Sequence, residues 1–312
     1  MDVAITGSNG LIGSALARSL ELDDHRVVRV VRPESPDVRG DAVVWEPRDG
    51  LIDRDGLLGI DAVVHLAGAS IGDRRWTREH KQEILRSRTE GTMLLSSTLA
   101  SLPSPPAVLV CGSATGYYGD GGDHELTESS PAGLGFRAEV VRAWEAAAAP
   151  AIDADIRTVF VRTANVLAQD GGLLPYLLRP FRLGLGARFG SGRQWFPWIT
   201  LDDEVAAVRF AIETPTLRGS VNAAAPEPVT NRMLAEALGR VLRRPVPWIA
   251  PAPVLRLIAG AERADEALLS SAKVVPAELL RAGLAFGDPE LEPALRRFLA
   301  PQEERTTGIP VR

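Results

Sequence analysis

Val3-Ala4-Ile5-Thr6-Gly7-Ser8-Asn9-Gly10-Leu11-Ile12-Gly13 is the stretch on which the fold turns. A short apolar run meets a glycine-rich turn, and the turn opens directly into a helix. Leu11, Ile12, Ala15, Leu16, Ser19 and Leu20 recur at the three-to-four-residue spacing of one buried helical face. Gly7 suits a tight strand-to-helix turn, whose backbone angles a side chain forbids. A Cβ at Gly10 would obstruct a diphosphate approaching the backbone N–H groups of the loop, which Ser8 and Asn9 complete. Gly13 lets the helix pack closely on its strand. The free N–H groups of the first turn, at Leu11 and Ile12, and the positive end of the helix dipole then face an anion. The spacing is G-x-x-G-x-x-G, which departs from the G-x-G-x-x-G of the standard dinucleotide fingerprint. A glycine turn that merely ends a strand is the competing reading.

The surroundings favour the nucleotide. Asp23-Asp24-His25 makes a polar turn, and Arg26-Val27-Val28-Arg29-Val30-Val31-Arg32 reads as a second strand. A strand–helix–strand unit of about thirty residues is the context the motif requires. Further on, strands are expected at 42–45, 61–69, 107–112, 157–162 and 220–223, with helices at 77–102, 135–149, 202–214 and 231–242. Strands separated by helix-length spacers imply an α/β fold with a doubly wound parallel sheet. Glycine, proline and aromatic residues crowd into 184–197, which reads as loop, and the remainder to residue 300 is proline-punctuated and helical. The expected division is a nucleotide domain over 1–170 with 201–225 returning to it, a smaller, mainly helical substrate lobe over 171–200 and 226–300, and a flexible tail over 301–312.

With 312 residues, 45% hydrophobic and 24% charged, the chain has the composition of an ordinary globular protein. A net charge of -5 argues against nucleic acid, which demands a basic face. The late apolar stretch 251–261 is short and interrupted by Arg256, which excludes a membrane span there. Cys111, the only cysteine, lies in an apolar run and reads as a buried strand residue. With no charged-then-apolar leader before the first strand, a cytoplasmic setting is expected.

Together, the glycine turn, His65-Leu66-Ala67-Gly68-Ala69 and Ser113-Ala114-Thr115-Gly116-Tyr117-Tyr118-Gly119 resemble an extended short-chain dehydrogenase/reductase. Arg162-Thr163-Ala164-Asn165-Val166-Leu167, Gly190-Ser191-Gly192-Arg193-Gln194-Trp195 and Lys273-Val274-Val275-Pro276 narrow the likeness to the nucleotide-sugar epimerase-like subgroup, which ends in a C-terminal domain of unknown function. The resemblance covers roughly residues 1–300. It implies a Rossmann-type fold, a nicotinamide cofactor on the glycine turn and on Leu66, Ala67 and Gly68, and a small-molecule substrate. A homodimer is compatible with it.

Arg32 ends the second strand where NAD-binding relatives carry an acid for the ribose 2′-hydroxyl. A guanidinium suits a 2′-phosphate, so NADP(H) is expected in preference to NAD(H). The catalytic apparatus is less regular. The wider family pairs a tyrosine with a lysine four residues later, because a neighbouring cation favours phenolate. No Tyr-x-x-x-Lys occurs here, and lysine stands only at positions 81 and 273. Phe136 and Val140, or Arg137 and Val141 in a shifted register, occupy the dyad positions, and Arg88 replaces an asparagine common in the family.

Ser113 matches the family serine that bonds a substrate oxygen. Tyr117 and Tyr118 follow on its loop as proton-handling candidates, with Arg137 or Arg142 as a substitute cation. Asn165 matches an asparagine that touches a nucleotide-sugar diphosphate, and Arg193, Gln194, Trp195 and Trp198 are expected to line the same cleft. The acidic loop Asp120, Asp123, Glu125 and Glu128 reads as a solvated lid, with no metal site. His65 reads as a satisfied structural histidine. Two functions follow: an NADP-dependent epimerase or oxidoreductase acting on a hydroxyl- or carbonyl-bearing molecule of the nucleotide-sugar kind, and a cofactor-binding regulator, for example in cell division, whose chemistry has decayed.

Overall fold

A computed structural model describes residues 1–36, 38, 42–72, 74–169 and 171–299. Its centre is a sheet begun by strands β1 (Asp2–Thr6), β2 (Arg26–Val31), β3 (Val43–Glu46) and β4 (Leu51–Ile52). Strands β5 (Ala62–His65) and β6 (Val108–Ala114) follow, and Arg157–Thr163 and Gly219–Ala223 complete it. From one edge to the other the order is Gly219–Ala223, Arg157–Thr163, β6, β5, β1, β2, β3, β4. Every pairing is parallel except β3 with β4, which form an antiparallel hairpin. The fold is the expected Rossmann-type doubly wound sheet followed by a mainly helical C-terminal region.

Side-chain alternation along β1 shows why both faces must be covered. Val3 and Ile5 join a core with Leu16 and Leu20 of helix α1 (Leu11–Leu22) and with Val205, Val208 and Ile212 of the helix Leu201–Glu213. Ala4 points the opposite way, into a second core with Val28, Val63 and Leu109 and with Leu95 and Leu99 of helix α2 (Arg78–Ala100). Thr77 starts α2 by accepting a hydrogen bond from His80 N at 3.2 Å. A third core joins Leu174, Leu178 and Phe181 to Trp198, to Leu234 and Leu238 of the helix Asn231–Leu242, and to Leu295 and Phe298.

One strand is new and one local reading changes. Residues 47–50 are the turn of the β3–β4 hairpin, whose second strand is too short to carry an alternation signal. The 184–197 stretch holds two strands as well as loop: Ala187–Phe189 pairs with Trp248–Ala250, and Trp195–Phe196 with Val229–Thr230. Both pairings join segments distant in sequence, which no local pattern announces. The expected tail, 301–312, lies outside the described residues. No helix among the described residues is long and apolar enough to cross a membrane.

Candidate active site

The glycine turn is built as its composition requires. Gly7 has φ 68°, and a Cβ there would lie 2.9 Å from Ala67 N. A Cβ at Gly13 would sit 2.2 Å from Gly7 O, so α1 touches the turn backbone to backbone. Gly10 begins α1 without a side-chain cap, which leaves the first-turn N–H groups free of any local acceptor. Leu11 and Ile12 contribute that turn; Leu11 also packs beside Gly171 and Gly172.

A cavity of about 450 Å³ opens beside the turn, lined by Gly7, Ser8, Asn9, Gly10, Arg32, Glu34, Trp45, Leu66, Ala67 and Gly68 among others. A second, of about 620 Å³, shares Arg32, Trp45, Ala67 and Gly68 with it and continues past Arg48 and Arg86. Ser8 is buried, yet its Oγ has no hydrogen-bond partner among the described residues, an unmet demand in the cavity wall. Arg32 pairs with no carboxylate among the described residues. Uncapped amides, that hydroxyl and that guanidinium suit the diphosphate and phosphate of a dinucleotide. Glu34, which shares that wall, went unnoticed in the sequence.

Ser113, the penultimate residue of β6, anchors a second constellation. Its hydroxyl donates to Glu145 Oε1 at 2.6 Å; Glu145 lies on helix α3 (Phe136–Ala146). Arg162 grips the same carboxylate with two prongs, Nε to Oε1 and Nη2 to Oε2, both 2.9 Å. Its remaining arm, Nη1, donates to the Tyr118 hydroxyl at 3.1 Å, and that hydroxyl donates to Asn222 Oδ1 at 2.7 Å. The Tyr117 ring lies 3.5 Å from the Arg162 guanidinium carbon. Burial pushes the Tyr118 phenol up to about 12, against the pull of Arg162.

The cation beside the tyrosines is therefore Arg162. Arg142 is exposed, and Arg137 turns to the C-terminal region, donating Nη1 to Glu266 O at 2.9 Å while Glu266 also caps the backbone of Phe136 and Arg137. Glu145 and Arg162 were missed as a pair. A charged residue in the apolar run Val159–Val161-Arg162 was the available signal, because a buried guanidinium requires a partner.

Arg88 and Trp144 stand between the two constellations. Arg88 packs on Gly68, sits 5.0 Å over the Trp144 ring and donates Nη1 to Ala69 O at 2.9 Å, while Trp144 packs on Gly112. Burial lowers the Arg88 guanidinium to about 10, which leaves it charged at neutral pH. His65 is satisfied on both nitrogens, by Thr6 Oγ1 at 2.7 Å and Thr92 Oγ1 at 2.9 Å. Burial, then Arg88, lowers its pKa to about 4.

The remaining expected residues are spread over the C-terminal side, and none lines either cavity. Asn165 Nδ2 donates to Pro197 O at 2.8 Å. Gln194 is buried and donates to Phe189 O and Leu268 O, at 3.0 and 3.1 Å. Trp195 Nε1 donates to Asp123 Oδ1 at 3.1 Å, and Arg193 is exposed. Trp198 belongs to the third core instead of a cleft, since at 1% exposure it meets no solvent.

In the acidic loop Asp120, Asp123 and Glu125 are exposed and Glu128 is half-buried. Glu128 Oε1 accepts from Asn222 N at 2.8 Å and Glu278 N at 3.3 Å, and Asp120 Oδ1 from Ser271 N at 3.2 Å. Carboxylates answer backbone donors brought in from the C-terminal region, a demand that local sequence does not show.

Known proteins resemble the chain along most of its length. Residues 3–224 match the NAD dependent epimerase/dehydratase family, and residues 250–298 match a domain of unknown function, DUF1731. An epimerase family protein of Mycobacterium tuberculosis, MT2273, is 44% identical over 284 residues, covering 91% of this chain and 93% of that one. The crystal structure of human epimerase family protein SDR39U1 (isoform 2) with NADPH superposes with a TM-score of 0.86 at 35% identity, over 96% of this chain and 99% of that one. A nucleoside-diphosphate sugar epimerase from Corynebacterium glutamicum gives 0.78 at 36% identity, over 96% of this chain and 58% of that one.

Proposed function

We propose, from the premise that the chain belongs to the NAD dependent epimerase/dehydratase family, that its glycine cleft binds NADP(H) in preference to NAD(H). The bound dinucleotide serves an epimerase or oxidoreductase step on a hydroxyl- or carbonyl-bearing small molecule of the nucleotide-sugar class. The observation that carries this reading is the cavity formed by Gly7–Gly10 and Arg32, whose wall holds a Ser8 hydroxyl and an Arg32 guanidinium that meet no acceptor among the described residues. The human relative solved with NADPH supports the cofactor choice.

In this reading the amides after Gly10 hold the diphosphate, Ser8 meets one of its oxygens and Arg32 holds the ribose 2′-phosphate. Leu66, Ala67 and Gly68 line the same cavity beside the turn. The dinucleotide supplies hydride transfer at nicotinamide C4. Ser113 meets the substrate oxygen, and Tyr117, whose hydroxyl bonds to no described residue, flanks it. Asn165, from the nucleotide domain, and Arg193, Gln194 and Trp195, from a lobe over 171–200 and 226–300, belong to the substrate side.

One observation favours a second reading, a cofactor-binding regulator. Phe136 and Val140, at the positions of the absent dyad, are buried in an apolar cluster with Ile84. Calorimetric titration with NADPH and NADH tests the cofactor. Incubation with 4-deuterated NADPH and a panel of nucleotide sugars and carbonyl compounds separates the two functions. Label in a product establishes an enzyme; tight NADPH binding with no transfer establishes the regulator.

A further inference from the structure

A serine hydroxyl has one proton to give. Ser113 spends it on Glu145 Oε1 at 2.6 Å. The Glu145 carboxylate offers no donor of its own and receives two N–H groups from Arg162 besides. Ser113 therefore presents only lone pairs to anything else that reaches it, and accepts from a substrate hydroxyl. The alternative base, Tyr118, is fully engaged: its hydroxyl accepts from Arg162 and donates to Asn222, and the residue is 2% exposed. The Tyr117 ring faces the Arg162 guanidinium, 3.5 Å from its carbon. Ser113 and Arg162 are each 4% exposed and the Glu145 side chain 13%, so little water competes for these bonds.

We propose that Glu145, acting through Ser113, receives the hydroxyl proton of an alcohol substrate. The inference rests on the NADP(H)-dependent reading above. As the substrate C–H bond breaks, its hydrogen leaves with the electron pair as hydride to the oxidised nicotinamide dinucleotide. The substrate O–H proton passes to Ser113 Oγ, and the Ser113 proton passes to Glu145 Oε1. The alcohol becomes a carbonyl, the dinucleotide is reduced, and one proton rests on the carboxyl. Running the same transfers backwards returns hydride and proton, as the second half of an epimerisation requires. Ser113 is the catalytic residue; Glu145 is its positioning residue and proton store, and Arg162 holds Glu145 in place.

The full-length chain is assayed with the same deuterated-cofactor panel, alongside calorimetry with NADPH. Glu145→Gln should lower kcat about 100-fold, the scale of a lost acid–base partner, with KM and the NADPH Kd within about twofold of wild type. Glu145→Asp should retain about a tenth of wild-type turnover. Ser113→Ala should match Glu145→Gln, and the double variant should be no slower than either, because both remove one proton path. Label transfer by wild type with an unimpaired Glu145→Gln, or additive losses in the double variant, overturns the relay and leaves the proposed function standing. NADPH binding without label transfer by wild type overturns both. Should Glu145→Gln lose NADPH binding through misfolding, Glu145→Asp, which keeps a charge opposite Arg162, decides the matter: full turnover overturns the relay.

Discussion

Glu145 and Arg162 meet through two parallel hydrogen bonds of 2.9 Å, one partner on helix α3 and the other on the strand Arg157–Thr163. Such a pair fixes direction as well as distance, because the planar guanidinium matches both carboxylate oxygens. Removing one partner leaves the other buried and uncompensated. Glu145→Ala should therefore cost about 3 kcal/mol of stability, read as a lower urea midpoint with unchanged slope. A loss below about 0.5 kcal/mol would show the pair to be solvated.

Glu204 gives the fold a pH dependence of its own. Its side chain is wholly buried, accepts from Thr163 Oγ1 at 2.7 Å and leaves Oε2 without a partner. Desolvation raises its pKa to about 8. A carboxyl whose folded pKa exceeds its unfolded one favours the folded state in full below the unfolded value, 4.5, and loses that contribution as pH rises through about 8. Stability should fall between pH 5 and pH 9, and Glu204→Gln should flatten the profile, adding on the order of 2 kcal/mol above pH 8. Thermal unfolding across pH measures this, and a profile unchanged by the substitution refutes it.

Gly13 has no room for a methyl group, since a Cβ would lie 2.2 Å from Gly7 O. Gly13→Ala should push α1 off the turn, cost roughly 1–3 kcal/mol and weaken NADPH binding more than tenfold. Gly59, whose Cβ would meet nothing within 4 Å, is the control in calorimetry. With φ 75° it strains when replaced, yet it precedes β5, which runs parallel to β1, and so lies at the end of the sheet away from the glycine turn. Gly59→Ala should leave NADPH affinity unchanged.

Arg32 is the test of cofactor choice. Arg32→Ala should weaken NADPH about 10- to 100-fold, the scale of a charge-assisted bidentate contact, while leaving NADH within about twofold. Glu34, in the same wall, opposes a 2′-phosphate, so Glu34→Gln should tighten NADPH slightly. Equal losses for both cofactors in Arg32→Ala would assign the guanidinium to packing.

The glycine turn and the parallel sheet were legible because they are local: apolar runs, glycine spacing and helix periodicity lie within a few residues of each other. Ser113 was legible through its motif, but its partner was not. Glu145 and Arg162 are 17 residues apart and meet only because α3 packs against β6 beside the strand Arg157–Thr163. The hint was energetic, an arginine directly after the apolar run Val159-Phe160-Val161. The same limit hid the seam from Asp120 to Glu128, whose carboxylates bond backbone that arrives from residues 222, 271 and 278. Gln194, Trp195 and Trp198 illustrate a further ambiguity, because aromatic and amide side chains line clefts and fill cores with equal ease.

The strand Gly219–Ala223 seals the border of the main sheet by pairing along Arg157–Thr163, and its Asn222 is at once the acceptor for Tyr118 and a donor to Glu128 and Val275. Cutting the chain after residue 170 would thus strip hydrogen-bonding groups from a whole ladder and leave it adhesive toward other copies. The amino-terminal part is not a detachable cassette: expressed by itself it should clump, and only the intact polypeptide should stay dispersed.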